Sequence, residues 1–325
     1  MAAKRRKKRR SRKSFRATLV SLILLFAVYL TFCAFEMMNV DIGFYVDMDE
    51  YNLLGLFKSK QGMSAPLPVP EDGEVLFHFI DVGQGDSILV TSKDGNMLID
   101  TSEQEAREDL DAYLKAAGVE KLKYLVLTHP DADHIGNADY IVENYDVENV
   151  VMTDHVATTK TYERLLDAIE ERNVNVIVPK PGYEFSIGAL KNTVIAPTEK
   201  YDDPNEMSIV IKAVYGSTSV MLTGDAETES ESDICRYWEA DALKCDILKV
   251  GHHGSSSSTT EDFLKAVSPK IAIISCGEGN KYGHPHSEIT DRLAEANVKV
   301  YRTDVDGSII FRTDGNELQL VGVKK

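Results

Sequence analysis

Short apolar runs rich in Val, Ile and Leu alternate with polar stretches along most of the chain, and their spacing predicts a mixed fold. Residues 75–81 and 87–91 predict strands flanking Gly83-Gln84-Gly85-Asp86, and residues 97–99 a third after the turn signal Asp94-Gly95-Asn96. This opening is antiparallel. Residues 103–117 turn helical and acidic, and 122–127 is a strand again. Strands at 147–152 and 174–178 then flank a helix at 162–172, followed by a hairpin at 184–196 and strands at 208–214, 219–222, 247–250 and 271–275. A helix at 287–296 and strands at 298–302, 308–312 and 317–321 close the chain. Mixed strands with helices between them imply two sheets packed face to face with helices outside, a layered α/β architecture.

Four of these strands empty into polar side chains of one kind: Asp100, the stretch His129-Pro130-Asp131-Ala132-Asp133-His134, Asp225, and the His252-His253 pair. The second is the densest. Imidazole and carboxylate together suit divalent transition metals. In H-x-D-x-D-H, alternate residues of an extended turn can face one cavity while Asp133 and His134 turn toward a second position, so one segment can feed two metals. The alternative is an ordinary solvated turn, which four potential ligands in six residues disfavour. Asp100 reads as a group that orients the metal-binding loop by hydrogen bonds. His78 and His155 fall outside these stretches and read as structural or exposed, and Trp238 as a packing residue.

Ahead of residue 75 the pattern changes. Residues 17–35 carry no charge and are long enough to cross a bilayer once as a helix. Residues 1–16 hold ten Lys and Arg and no acid, which predicts a cytoplasmic tail and places everything after Glu36 outside the cytoplasm. A cleaved signal peptide competes with this anchor, but the run is long for one and residues 32–35 offer no small-x-small cleavage site. Phe32 likewise spoils a lipoprotein reading of Cys33. Residues 36–74, ending in a Pro alternation, read as a stiff tether to a domain at 75–325. Without the N-terminal block, 26 basic residues face 52 acidic ones, a net charge of −26 that argues against tight binding of long duplex nucleic acid. Cys235, Cys245 and Cys276 show no C-x-x-C spacing; Cys235 and Cys245 could bridge, but buried free thiols are favoured. No defined protein partner is indicated.

In chain order, Phe79-Ile80-Asp81-Val82-Gly83-Gln84-Gly85-Asp86-Ser87, Leu98-Ile99-Asp100, the HPDADHIG stretch, Asn205-Glu206-Met207-Ser208, Leu222-Thr223-Gly224-Asp225, Leu248-Lys249-Val250-Gly251-His252-His253-Gly254-Ser255 and Tyr282-Gly283-His284-Pro285 form one series. The series resembles the metallo-β-lactamase superfamily, and within it the hydrolase domain of ComEC-type competence proteins. The resemblance covers residues 75–321 and implies a four-layer αβ/βα sandwich with a dinuclear metal site at one edge of the sheets. Carried over residue by residue, it gives His129 and Asp131 to one metal and Asp133 and His134 to the other. Asp225 bridges them and His253 completes the second, which leaves His252 a catalytic candidate. Two departures matter: Asp131 stands where the wider superfamily has a second histidine, and Asn205 and Ser208 occupy the region where a further ligand histidine is expected. An oxygen-rich first site leaves zinc, manganese and iron open as the two divalent ions.

The resemblance implies a membrane-anchored, extracytoplasmic metal-dependent hydrolase, a phosphodiesterase or nuclease with single-stranded DNA among its expected substrates. Asp133 would orient the nucleophile, while Ser255 and backbone N–H groups near Gly254 would meet phosphoryl oxygens. His284 either protonates a leaving group or grips phosphate, or is a plain turn histidine. Two other functions compete: a phosphocholine esterase acting on cell-envelope polymers, and a non-catalytic DNA-binding receptor.

Overall fold

The computed structural model describes residues 67–324. The predicted tail, membrane span and most of the tether lie outside the described residues, and no described helix is long and apolar enough to cross a membrane. Leu67 is 3% exposed in the outer core of the first sheet, so domain packing starts ahead of the predicted boundary at residue 75.

The N-terminal half builds β1 (Val75–Phe79), β2 (Ile88–Ser92) and β3 (Gly95–Ile99), then α1 (Arg107–Ala116), β4 (Lys121–Leu122) and β5 (Tyr124–Leu127). After β5 come α2 (Ala132–Ile135), α3 (Ala138–Asn144), β6 (Asp146–Val147), β7 (Asn149–Met152), α4 (Lys160–Arg172) and β8 (Asn175–Ile177). The second half adds β9 (Glu184–Ile187), β10 (Leu190–Ala196), β11 (Val210–Tyr215), β12 (Thr218–Leu222), α5 (Thr228–Tyr237), α6 (Ala240–Leu243), β13 (Ile247–Lys249), α7 (Glu261–Val267) and β14 (Ile271–Ile274). The last elements are α8 (Ser287–Glu295), β15 (Lys299–Arg302), α9 (Thr303–Asp306), β16 (Ser308–Thr313) and β17 (Leu318–Lys324).

Two large sheets result, ordered β17-β16-β1-β2-β3-β5-β7-β8 and β15-β14-β13-β12-β11-β10-β9. Each is antiparallel on one side and parallel on the other: β3-β5-β7-β8 and β12-β13-β14-β15 run parallel. Alternation within the strands sorts side chains between two faces. Phe77, Phe79, Val90 and Val126 of the first sheet meet Ile211, Val220, Leu222 and Ile273 of the second in a shared core. The opposite faces take the helices, Leu110, Ile141 and Leu165 on one side and Ile234, Phe263 and Leu293 on the other. The expected αβ/βα layering is thus observed. Each fully buried Leu, Ile or Phe contributes roughly 1.5–3 kcal/mol, which holds the two sheets in one register.

Helix ends follow local chemistry. Thr159 caps α4 by accepting from the Tyr162 N–H, and Asn173 ends it in the left-handed conformation; Thr260 and Ser268 do the same for α7. Four helices were not expected from the pattern: α5, α6, α7 and α9. In α5 the sequence is acidic and serine-rich and buries only Ser230, Glu231 and Ile234, too few apolar positions to show a helical period. The three described cysteines are free, so the Cys235–Cys245 bridge is not formed.

Candidate metal centre

Parallel strands of both sheets end on one rim, where open α/β sheets place their chemistry. From the first sheet, β3 ends at Asp100 and β5 at Thr128-His129. From the second, β12 delivers Asp225 and β13 the His252-His253 turn. Close backbone contacts build the site: the Ile209 N–H donates to Thr128 O at 2.9 Å and joins the two rims, and the Asp86 N–H donates to Asp133 O at 3.2 Å and packs the β1–β2 loop on the ligand stretch of the first sheet. Two glycines permit this. A Cβ at Gly85 (φ +118°) would run into the Asp133 carbonyl oxygen, and one at Gly224 (φ +53°) would come within 2.9 Å of Thr128 Cβ.

Asp100 fixes the first rim. One carboxylate oxygen accepts from the Thr128 N–H at 2.9 Å, and the other from Thr128 Oγ1 at 2.7 Å while facing His134 Nδ1 at 2.8 Å. With Nδ1 so engaged, His134 presents Nε2 to the interior, 3.3 Å from Asp225 Oδ2. His129 Nδ1 faces Thr128 Oγ1 at 3.1 Å and Ser208 Oγ at 3.3 Å, which leaves its Nε2 free for the same space. Ser208 also receives the Asp225 N–H at 3.1 Å, so it ties the two rims together. Asn205 bends the approach to it, its carbonyl accepting from the Ser208 N–H at 3.0 Å.

The second rim stores backbone strain. His252 (φ 43°, ψ 51°) and His253 (φ 53°, ψ 20°) are consecutive left-handed residues, a conformation costing on the order of 1–3 kcal/mol for each non-glycine residue. The turn brings both imidazoles to Asp225: His253 Nε2 lies 3.3 Å from Asp225 Oδ2 and 3.3 Å from Asp133 Oδ2, and His252 Nε2 3.6 Å from Asp225 Oδ2. His252 Nδ1 is bound to Glu227 at 2.5 Å, and Glu227 also accepts from Ser257 Oγ at 2.7 Å. Ser255 pairs with Ser257 at 2.8 Å and so buttresses this arm.

Electrostatics follow from this crowding. Burial opposes charge on every group, and the balance decides each one. Burial and neighbouring His134 hold His129 well below the usual imidazole range. His134 resists burial because Asp225 and Asp100 raise it well above that range, and Asp225 and Asp133 lift His253 to about 10. Asp225 and Asp133 are held low in return, against burial, by His134 and His253. His284 is pushed down to about 4 by burial and by His253, His252 and His286. Glu227 raises His252 against its burial.

These residues fit a divalent metal. The buried Nε2 atoms of His129, His134 and His253 and Oδ1 of Asp225 have no hydrogen-bond partner. Ligand atoms of His129, His134 and Asp225 lie within 4.8 Å of one another, as do those of Asp133, His134 and His253. Unbonded imidazole and carboxylate atoms converging in a buried space are what a cation would satisfy. Residues 80–278 match the sequence profile of the Metallo-beta-lactamase superfamily. The chain belongs to that superfamily. ComE operon protein 3 of Bacillus subtilis is 36% identical over 262 residues, which is 74% of this chain and 33% of that protein. Competence protein ComA of Neisseria gonorrhoeae is 31% identical over 250 residues, 76% of this chain and 33% of its own. The chain therefore spans about a third of the length of these ComEC-type relatives. The crystal structure of CmlA, a diiron beta-hydroxylase from Streptomyces venezuelae, shares the fold at TM-score 0.50 and 12% identity, covering 78% of this chain and 55% of that one.

Of the residues singled out in the sequence, His129, Asp133, His134, Asp225 and His253 converge. Asp131 does not join them: it precedes α2, its side chain is exposed at the rim, and it falls outside every ligand group within reach. Partial desolvation and the neighbouring Asp133 raise its carboxyl. His284 stacks on His253 with ring centroids 6.2 Å apart and on Tyr282 at 5.6 Å, beside the site. His78 is structural, facing Tyr113 and Thr91 in the core, and Trp238 donates to the Ile195 carbonyl. Sequence reasoning passed over Glu227, Asp86 and Lys249. Glu227 lies two residues past Asp225 and was legible as a candidate partner; Asp86 and Lys249 stand inside the series that carries the resemblance, with no role assigned to either.

Proposed function

We propose that this chain is a two-metal hydrolase of phosphodiester bonds, with single-stranded nucleic acid its substrate class, held at a membrane by residues 17–35. The carrying observation is the set of unbonded, buried Nε2 atoms of His129, His134 and His253 gathered around Asp225. His129 with Asp225 would hold one ion and Asp133 with His253 the other, His134 lying between the groups and Asp225 facing both. Bound divalent ions supply Lewis acidity and an activated water near neutral pH.

The protein's own groups then divide the work. Asp133, its side chain 23% exposed and held ionised, accepts a hydrogen bond from the attacking water and aims it. His252, whose imidazole Glu227 raises against its burial, is the proton donor to the leaving oxygen. His284 is neutral at pH 7 and grips a phosphoryl oxygen through a ring N–H instead of acting as an acid. The Gly254-Ser255 backbone lies next to this set, and Lys281, 4.8 Å over the exposed Tyr282 ring, puts a cation and an aromatic surface at the mouth. A single local cation suits a flexible single strand better than duplex DNA, given the acidic remainder of the chain.

The test is to strip the purified full chain of metal, reload it with manganese, zinc or ferrous iron, and offer single-stranded DNA, duplex DNA, bis-p-nitrophenyl phosphate and p-nitrophenyl phosphorylcholine. Metal-dependent cleavage of single-stranded DNA, reduced at least about 100-fold in Asp133→Ala, is expected. Turnover of the choline ester alone would make the chain an envelope esterase. No turnover with any metal, together with retained DNA binding, would make it a receptor.

A further inference from the structure

Beside the ligand groups two opposite charges are buried together. Lys249 Nζ lies 2.7 Å from Asp86 Oδ2 and also donates to the Val250 carbonyl at 3.0 Å. Lys249 is 0% exposed and Asp86 1%. Removing two such charges from water costs several kcal/mol per ion, and an apolar pair of the same volume is often as stable. Stability alone therefore gives no reason for the pair.

Its position does. Asp86 belongs to the β1–β2 loop of the first sheet and Lys249 is the last residue of β13 in the second, so the pair spans the sandwich. The second carboxylate oxygen, Asp86 Oδ1, has no hydrogen-bond partner and lies 3.6 Å from His253 Nδ1. That same nitrogen faces the Ser275 carbonyl at 3.0 Å. The Ser275 carbonyl accepts from Nδ1, and the Asp86 carboxylate 3.6 Å away adds negative charge on that side of the ring, which leaves Nε2, facing Asp133 and Asp225, as the atom a metal would take.

We propose that the Asp86–Lys249 pair is a positioning device that fixes the tautomer and orientation of His253 and thereby sets the metal affinity of the His253 position; this rests on the two-metal reading above. Lys249 holds Asp86 in place, and Asp86 acts on the ring. Asp86 falls in one ligand group with His253 and Asp225 and in another with His134, and in none with His129, so the effect is largest at the His253 position.

The experiment titrates the full, metal-stripped chain with zinc by calorimetry and with cobalt(II) by visible absorption, in the wild type, Lys249→Met, Asp86→Asn and the double variant. Circular dichroism reports folding. The double variant leaves neither buried charge unpaired, so it remains informative where a single variant fails to fold. One ion should bind about 10- to 100-fold more weakly and the other clearly less affected, with an altered cobalt spectrum, and the double variant should be no weaker than either single one. Unchanged affinities in the folded double variant would overturn the proposal, as would equal weakening of both ions. Loss of an ion in Asp86→Asn with none of the effect in Lys249→Met would also overturn it, by making Asp86 a ligand. A wild-type chain that binds no metal would instead overturn the two-metal reading itself.

Discussion

The two rims of the site reach the same end by different means. On the first sheet, His129, Asp133 and His134 come from one continuous stretch, and hydrogen bonds from Asp100 and Thr128 aim them without strained ligand backbone. On the second sheet Asp225 and His253 come from separate strand ends, and His253 reaches the centre only through two consecutive left-handed histidines. The first rim places its ligands through side-chain bonds from Asp100, itself left-handed at φ 58°, whereas on the second rim the left-handed residues are the histidines themselves. The first is therefore compact in sequence, and the second depends on the fold to exist.

The largest effect should come from the residue that faces both rims. Asp225→Asn should remove both metals and lower kcat/KM by about 1,000-fold or more, roughly 4 kcal/mol, checked by metal analysis and kinetics on the reloaded chain. Next, His129→Ala and His253→Ala separate the rims: each should lower bound metal from two ions to about one and cut activity at least about 100-fold. A variant that lost both ions would show that its rim governs the other.

Asp100→Ala attacks the hydrogen-bonded rim. It leaves the Thr128 N–H and His134 Nδ1 without their buried partner and should destabilise the metal-free chain by about 2–4 kcal/mol in urea unfolding. The smallest expected effect concerns support of the strained rim. Glu231 accepts from the Thr259 and Thr260 N–H groups, and Thr259 Oγ1 in turn accepts from the Gly251 N–H at the base of the His252-His253 turn. Burial raises the Glu231 carboxyl to about 7. Between the unfolded value of about 4.5 and that point the folded state binds the extra proton, so the contribution of Glu231 to stability is greatest below pH 4.5 and falls as pH rises to 7, by up to about 1.4 kcal/mol per unit. Glu231→Gln should flatten that slope in the metal-free chain; an unchanged slope would assign it to other groups.

The same contrast explains what the sequence revealed. The H-x-D-x-D-H stretch was legible because strand and ligands are contiguous, and Asp100 because it ends an apolar run. Asp225 and the histidine pair were legible mainly through resemblance, since nothing local says that β12 and β13 of one sheet meet β3 and β5 of another. The choice of His253 over His252 as the ligand came from the resemblance; in the structure His253 is 1% exposed and His252 turns to Glu227. Asp131 shows the limit of spacing. In an extended turn it alternates with His129, but α2 begins immediately after it and its side chain is left at the rim. Lys249 and Asp86 were hidden for the opposite reason, because a charged residue at a strand end gives no sign in sequence that both sheets will close over it.

The central claim is that both rims hold metal at once, with Asp225 between them. Anomalous diffraction from crystals of the manganese-loaded full chain tests it most directly. Two peaks are expected, one touching His129 and the other His253, both adjacent to Asp225; a single peak, or peaks away from these residues, would contradict it.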